Sequence, residues 1–369
     1  MNFGEAKKVI EKKFKGMVDA DSHLYNAFLL VHSDKLNIHW NMAYGHMYDL
    51  PINAEQPYHT ASIAKTFTAL VIAILVEERK IDYEDPILKY LHKDIVEGLH
   101  IHRGKDYSKD IRIQHLVNNT SGLADFYEDK PRNGKAFLDI LLEEPSRFWT
   151  PQETIQWTKE NLSPRFPPGK NYYYSNTGFN LLGLIIESVT AKPLYKVLHE
   201  YIFQPCNMQH TYLSQYSRPI VENDYDVATV HLKNRAVNTE QHRSFSSIYA
   251  GGQTVSTSED LLKFLRGLVS NQLISNDSLL EMMQWRKMWL GVDYGYGLMN
   301  VRMLPLTEKY NAWGHLGSIG SFMLYNPVMD VYIIGNFNKQ GYLTKSMRFI
   351  LSILRTLDKV KTISAQPKT

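Results

Sequence analysis

This chain has almost no cysteine, no long hydrophobic run and no strong excess of one charge. Cys206 is the only cysteine among 369 residues, so no intramolecular disulfide can form and a disulfide-stapled secreted scaffold is excluded. The 41 lysine and arginine residues nearly balance the 38 acidic residues and form no long basic run, which gives no indication of nucleic-acid binding. With 44% hydrophobic residues, the chain can still bury a large core.

No segment is apolar for long enough to cross a membrane. The run at 69–75 leads into the charged residues 77–80, well short of the about 18 apolar residues that a spanning helix needs. Residues 1–17 lack the apolar core and cleavage site of a secretory signal and are predicted to form an amphipathic helix, with a membrane-surface anchor as the alternative. We therefore expect a cytoplasmic protein with no integral membrane segment, or an extracytoplasmic one if a leader was removed.

Patterns that hold metals or phosphate groups are absent as well. The 14 histidines are dispersed and include no His-Glu-x-x-His pair. No glycine-rich loop of the phosphate-binding type lies between a predicted strand and a predicted helix. The sequence therefore predicts no metal site and no cofactor.

Both ends of the chain carry strand patterns. Residues 25–31 and 36–44 are two apolar or alternating segments separated by a short polar turn, which predicts a β-hairpin. Short apolar runs at 320–325 and 331–336 predict two more strands, and the amphipathic segment 344–357 predicts a last helix. The predicted sheet is thus built from residues that are far apart in sequence.

The middle of the chain is predicted to be mainly helical. We predict an α+β fold in which residues 1–60 and 240–369 form an antiparallel sheet flanked by terminal helices, with an inserted helical domain at 61–239. The cleft between the two domains is the expected active site. The helical patterns in the inserted domain lie at 63–76, 87–91, 154–161, 177–190 and 194–201.

Ser62 and Lys65 stand at the start of the predicted helix 63–76. Residues three apart share a helical face, so the Lys65 ammonium can approach the Ser62 hydroxyl, which needs a neighbouring base to act as a nucleophile. The helix N-terminus also favours an oxyanion and lowers the pKa of the lysine. Ser-x-x-Lys alone is weak evidence because a chain of this length contains on the order of one match by chance. An N-cap serine with a solvated lysine is the alternative.

Tyr174-Ser175-Asn176 is the only Tyr-x-Asn segment in the sequence. A phenol near cations can lose its proton well below its usual pKa of about 10. An amide two residues further on can hold a substrate carbonyl or orient the lysine. A packed aromatic is the alternative for any single tyrosine among 23, and it is the interpretation preferred for Tyr172 and Tyr173.

These motifs occur in the order used by a known family. The segment TASIAKTFTAL at 60–70 resembles the nucleophile helix of class C β-lactamase-like serine hydrolases, which include penicillin-binding proteins, D-alanyl-D-alanine carboxypeptidases and esterases. The chain is identified as a member of this family over about residues 24–355. The other segments that resemble the family, in order, are 116–123, 167–169, 174–178, 250–252 and 256–261.

The resemblance implies a β-lactamase/transpeptidase-like fold and a role for each matching residue. Ser62 is expected to be the nucleophile, and Lys65 and Tyr174 are expected to move its proton. The backbone N–H groups of Ser62 and Ser318 are expected to form the oxyanion hole. The expected substrate-binding residues are Asn176, His315 and Gly317.

His315-Leu316-Gly317 departs from the lactamase form of this family, in which many relatives have Lys-Thr-Gly. An imidazole holds a substrate carboxylate less firmly than an ammonium does, which weakens the case for β-lactam hydrolysis. Because imidazole titrates near pH 6.5, carboxylate-bearing substrates are expected to bind better as the pH falls toward about 6. Gly317 is expected to let substrate lie against its strand because it has no side chain.

We expect a serine hydrolase that acts through a covalent acyl-enzyme on an ester or amide of a small acid. The alternatives within this class are a D-amino-acid peptidase or carboxypeptidase and a β-lactamase. A slow-turnover penicillin-binding sensor or binding protein is the alternative of another class, because the sequence does not reveal the deacylating water. The expected partner is a small-molecule or peptide substrate, with no nucleic acid, and the oligomeric state is not predicted.

Overall fold

A nine-stranded antiparallel sheet, with strands from both ends of the chain, dominates the computed structural model, which describes residues 1–233 and 235–360. The strands are β1 Asn26–Ser33, β2 Ile38–Met47, β3 Leu50–Pro51, β4 Tyr58–His59, β5 Ile101–His102, β6 Lys105–Asp106, β7 Tyr212–Leu213, β8 Val230–Leu232, β9 Arg235–Val237, β10 Thr254–Ser256, β11 Arg286–Trp289, β12 Val292–Tyr294, β13 Met299–Val301, β14 Ala312–Leu316, β15 Phe322–Asn326 and β16 Val331–Asn336. The order in the large sheet is β11-β12-β13-β14-β15-β16-β1-β2-β3, and a small sheet has the order β4-β10-β7.

Helices cover both faces of the large sheet. Helices α1 and α11 cover one face, and α9, with the central helices α2 and α7, covers the other. In the described residues, none of the helices is both long and apolar enough to cross a membrane. The helices are α1 Phe3–Asp19, α2 Ala64–Glu77, α3 Lys93–Val96, α4 Ile113–Val117, α5 Phe137–Glu143, α6 Pro151–Asn161, α7 Asn176–Thr190, α8 Leu194–Leu198, α9 Ser258–Val269, α10 Asn276–Met282 and α11 Leu343–Asp358.

The central strand β1 shows why the sheet needs helices on both sides. Successive side chains of a strand point to opposite faces. Phe28 and Leu30 join the cluster that contains α2, α7 and α9, whereas Leu29 and Val31 join the cluster that contains α1 and α11. All eight residues of β1 are buried, as expected for a strand covered on both faces.

The predicted α+β fold is confirmed, including the hairpin β1–β2, the strands near 320–336 and the terminal helices. The segment predicted as a helix at 87–91 forms only a 3₁₀ turn, Ile87–Lys89, and the N–H of Ile87, which a helix would leave free, donates to the carbonyl of Ile111. The division into domains at 60 and 240 stays a prediction. One hydrophobic cluster extends from β1 and β16 into α2 and α7.

Gly297 lets the connection between β12 and β13 lie directly against helix α2. Its φ is +69°, and a Cβ there would lie 2.2 Å from the Cβ of Ala69 and 3.1 Å from the carbonyl oxygen of Lys65. The Thr66 hydroxyl donates to the Gly297 carbonyl at 2.9 Å. This contact fixes the first turns of α2 against the sheet.

Gly297→Ala is expected to destabilise the protein more than Gly104→Ala does. Both glycines have a positive φ, +69° and +79°, but nothing lies within 4 Å of a Cβ at Gly104. The unfavourable φ alone costs roughly 1–2 kcal/mol, and overpacking at Gly297 adds typically about 1–3 kcal/mol. Urea unfolding of the two variants measures the difference, and equal losses would show that the contact with α2 is not tight.

Candidate active site

Ser62 lies in a 3₁₀ turn, Ala61–Ile63, that immediately precedes α2. The sequence placed Ser62 at the start of the helix, and the structure places it one turn earlier. Ala61 has a φ of 49°, so the chain turns sharply just before the serine. Ser62 is half-buried and lines a cavity of about 240 Å³.

The Lys65 side chain is fully buried, with acceptors from two other parts of the fold. Its Nζ donates to Asn176 Oδ1 at 2.6 Å and to the Gly251 carbonyl at 2.5 Å, and it lies 3.5 Å from Ser62 Oγ. Asn176 is the first residue of α7, and Gly251 ends the turn Arg243–Gly251. The structure therefore brings together three residues that the sequence selected: Ser62, Lys65 and Asn176.

Burial gives Lys65 a protonation state suited to a base. It lowers the pKa of Lys65 from 10.5 to about 7, although the charges of Asp125 and Glu128 act in the opposite direction. A large share of the side chain is then the neutral amine at neutral pH, with two N–H groups and one lone pair. Because Asn176 and Gly251 can accept both N–H groups, the lone pair is left for the Ser62 hydroxyl.

Asp125 is a site residue that the sequence analysis missed. The Asn176 amide donates to both Asp125 oxygens, at 3.0 and 2.9 Å, so the opposite end of the amide, Oδ1, faces Lys65. Burial raises the pKa of the Asp125 carboxyl, and the hydrogen bonds from Asn176 and from the N–H of Tyr127 oppose that shift. An acid between Ala124 and Phe126, just after the family-like segment 116–123, was the available signal.

Tyr174 lines the same cavity as a neutral phenol. Burial, followed by the neighbouring Tyr294, raises its pKa well above the ordinary value, so the low pKa expected from the sequence is wrong. The reason is that a phenolate, like any charge, is destabilised when it leaves water. The Tyr174 hydroxyl lies near Ser62 without hydrogen-bonding geometry, and Lys65 Nζ lies 4.9 Å from the Tyr174 ring centroid.

The cavity walls are mainly apolar. Glu128 is exposed at the cavity, and none of the lining residues, within the part of the chain that the structure describes, is a lysine or an arginine. An apolar acyl group fits such walls, whereas a substrate carboxylate would meet no cationic partner there. The apolar lining side chains include Val230, Leu232, Phe245, Ile248, Met288 and Trp289.

The similarity of this chain to other proteins covers the candidate site. The β-lactamase family model matches residues 17–349. The chain belongs to the β-lactamase family. A penicillin-binding protein of Bacillus subtilis is 26% identical over 300 residues, which are 75% of this chain and 60% of that protein, so the chain spans about 60% of the length of this curated relative.

Solved structures share the fold over nearly the full chain. A D-stereospecific amidohydrolase from Streptomyces sp. is 26% identical with a TM-score of 0.76, covering 92% of this chain and 97% of that one. A D-amino acid amidase from Ochrobactrum anthropi SV3 is 22% identical with a TM-score of 0.77, covering 96% and 98%, which supports the fold. The predicted family is confirmed.

His315 is not on the cavity wall. Its ring is fully buried behind Tyr294, whose hydroxyl lies 3.5 Å from His315 Nε2, and Tyr294 in turn meets Tyr174 edge-on at 5.9 Å. Burial, with Lys65 second, lowers the pKa of His315 to about 3. The expected gain in carboxylate binding near pH 6 therefore has no basis in the structure, because the imidazole stays neutral there. Its predicted part in substrate binding stays a prediction.

Gly317 and Ser318 connect β14 to β15 beside Ser62. A Cβ on Gly317 would lie 2.1 Å from Ser321 Oγ and 3.1 Å from the Cβ of Ala61. The absence of a side chain at Gly317 therefore leaves space for these two neighbouring residues. Ser318 is exposed on the cavity wall, and its N–H donates to no backbone carbonyl in residues 1–233 and 235–360. Together with the N–H of Ser62 at its turn, it is available for the predicted oxyanion hole.

A strained residue aims the Gly251 carbonyl at Lys65. Tyr249 has φ 37° and ψ −115°, a conformation that costs of order 1–3 kcal/mol and persists only when its surroundings enforce it. The next two carbonyls are both used, because Thr68 Oγ1 donates to Ala250 at 2.7 Å and Lys65 donates to Gly251. A Cβ on Gly183 of α7 would lie 2.4 Å from the Tyr249 ring, so this glycine permits the conformation.

We expect the acid limb of the pH–rate profile to report Lys65. For a neutral ester, kcat/KM should rise as the pH increases through about 7, because only the neutral amine accepts the Ser62 proton. Asp125→Asn should move this limb to lower pH, since the carboxylate raises the pKa of Lys65. The same change at the exposed Asp94 is the matched control. A limb that stays in place or moves upward in Asp125→Asn would contradict the assignment.

Proposed function

We propose that this protein is a serine hydrolase that cleaves esters or amides of small acids through an acyl-enzyme on Ser62. The observation that carries the proposal is the Lys65 amine, 3.5 Å from Ser62 Oγ, with a lowered pKa and with acceptors for both remaining N–H groups. Few structural roles would justify burying a lysine without a carboxylate in direct contact. Membership of the β-lactamase family supports the same chemistry.

In the proposed acylation step, Ser62 Oγ attacks the substrate carbonyl while its proton passes to Lys65 Nζ. The carbonyl π electrons move to oxygen, and the N–H groups of Ser62 and Ser318 stabilise the oxyanion. When the tetrahedral intermediate collapses, the bond to the leaving group breaks. The leaving group takes up a proton from the Tyr174 hydroxyl, which Lys65 restores. Tyr174 can remain a neutral phenol before and after this transfer.

Deacylation repeats these steps with water as the nucleophile. Water loses a proton to the same Lys65–Tyr174 pair as it attacks the acyl carbonyl, and the ester bond to Ser62 breaks as Oγ is reprotonated. The products are the free acid and the original enzyme. Both half-reactions need a proton carrier that is neutral at rest, and the burial of Lys65 and Tyr174 supplies one.

The cavity favours neutral or cationic substrates with an apolar acyl group. Its apolar walls and the exposed Glu128 support this choice, whereas a carboxypeptidase or β-lactamase substrate carries a carboxylate. A panel of p-nitrophenyl esters, D-amino-acid amides and a chromogenic cephalosporin separates these candidates. Rapid turnover of the cephalosporin with no ester turnover would replace the proposal by a β-lactamase. Acylation without release of acid would indicate a slow-turnover binding protein.

Ser62→Ala is expected to abolish labelling by a fluorophosphonate probe. The reagent phosphonylates an activated serine, and within residues 1–233 and 235–360 only the Ser62 hydroxyl among the serines lies within hydrogen-bonding distance of the Lys65 amine. Loss of one half-buried hydroxyl should change the free energy of unfolding by no more than about 1 kcal/mol. Mass spectrometry of labelled peptides measures the outcome, with the exposed Ser22→Ala as control. An adduct on another serine would contradict the proposal.

Lys65 and Tyr174 are expected to act as one catalytic unit. Lys65→Met and Tyr174→Phe should each reduce kcat by about a hundredfold or more, and the double variant should be little worse than the worse single one. Tyr172→Phe removes the buried hydroxyl of another tyrosine that packs against Tyr294 and does not line the cavity, and it is the matched control. Steady-state kinetics on one ester measures kcat for each variant. If the reductions in kcat multiply in the double variant, the two residues act independently.

A further inference from the structure

Three polar side chains line the cavity without internal hydrogen bonds for their polar ends. His59, Thr239 and Gln253 are 5%, 6% and 1% exposed. Among residues 1–233 and 235–360, no hydrogen-bond partner is found for His59 Nε2, Thr239 Oγ1 or Gln253 Nε2. A buried polar atom without a partner is costly, and two of them, beside a histidine whose nearest acceptor is the Glu240 carboxylate 3.6 Å away, indicate a site for a polar group in this mainly apolar cavity.

The small sheet β4-β10-β7 explains why His59 and Gln253 lie together. His59 pairs with Val255, which pairs with Tyr212, so their side chains share a face of this sheet. Gln253 stands two residues before Val255 and therefore faces the same way. Strand register therefore places His59 and Gln253, whereas Thr239 reaches the cavity from the turn that follows β9.

Glu240 lies behind His59 and fixes the charge of this region. Its Oε1 is 3.6 Å from His59 Nε2, and it accepts hydrogen bonds from the hydroxyls of Ser214 and Tyr212. Burial alone would raise the pKa of Glu240, but His59 and the two hydroxyls hold it below its ordinary value. An ionised carboxylate with its oxygens occupied disfavours a second anion nearby and has little capacity left for an ammonium.

The remaining groups define the ligand chemistry. Gln253 Nε2 is a donor, and the Thr239 hydroxyl can donate or accept. Around them lie the apolar side chains of Val230, Leu232 and Phe245. This combination suits an oxygen acceptor carried on a hydrocarbon chain.

We propose that His59, Thr239 and Gln253 form a subsite that binds a neutral carbonyl or hydroxyl oxygen on the acyl part of the substrate. The proposal deepens the proposed function, because it defines the acids whose esters or amides the protein would select. The subsite makes a keto or amide carbonyl in the acyl chain a specificity determinant. A plain hydrocarbon chain would leave the Thr239 hydroxyl and the Gln253 amide unpaired.

Binding of matched esters to Ser62→Ala tests the subsite without requiring turnover. The probes are ethyl octanoate and its analogues with a keto group at the fifth, sixth or seventh carbon, and calorimetry measures each Kd. One keto ester should bind about tenfold more tightly than the parent, because it satisfies donors that the parent leaves unpaired. In the unmodified protein, the same ester should have the higher kcat/KM.

We expect Gln253→Leu and Thr239→Val, each in the Ser62→Ala background, to bring the ratio of the Kd for the parent ester to the Kd for the keto ester close to one. Gln272→Leu, the same change at an exposed glutamine outside the cavity, is the matched control and should keep it. Circular dichroism checks that each variant is folded. If one variant fails to fold, the other variant, compared with Ser62→Ala alone, still tests whether the subsite causes the preference for the keto ester.

Equal affinity for the keto esters and the parent, or no binding of any of them, would overturn the subsite. A preference that survives in both Gln253→Leu and Thr239→Val would overturn it as well. Failure of the proposed function looks different. In that case Ser62→Ala shows the binding preference, but the unmodified protein hydrolyses none of the esters.

Discussion

The burial of the Lys65 amine is the constraint on which the rest of this site depends. Removing an ammonium from water is costly unless it is hydrogen-bonded, and here the acceptors come from the amide of Asn176 and the carbonyl of Gly251. Supplying them requires that α7 begins at this point and that the chain turns abruptly at Tyr249. Helix, turn and nucleophile are therefore arranged around one nitrogen atom.

The same low-dielectric environment shifts four titratable groups near Ser62 toward the neutral form. It lowers the pKa values of Lys65 and His315 and raises those of Tyr174 and Asp125. A site of mutually stabilising ions would have been a structural salt bridge. A set of groups held close to neutrality can instead take up and release one proton with little electrostatic cost, which is what acyl transfer requires.

Much of this arrangement could be predicted from sequence because some of it is local. The three-residue spacing of Ser62 and Lys65 implied their contact, and alternating hydrophobic residues implied the hairpin β1–β2. The acceptors of Lys65 lie 111 and 186 residues away, and only the motif order of a known family linked Asn176 to it. Burial was the missing quantity. A sequence pattern does not show how much water reaches a side chain, so the protonation of Tyr174 was predicted wrongly and the burial of the His315 ring was not predicted.

The close approach of Gly183 to the Tyr249 ring has a mechanical consequence. Gly183 lies two turns after Asn176 on the same helix, and the ring leaves no room for a side chain there. A small displacement of α7 must push the turn that carries Gly251 in the same direction. The Asn176 amide and the Gly251 carbonyl then move together. Thermal motion of the helix can therefore shift the Lys65 amine without changing the distance between the two oxygens that accept its hydrogen bonds.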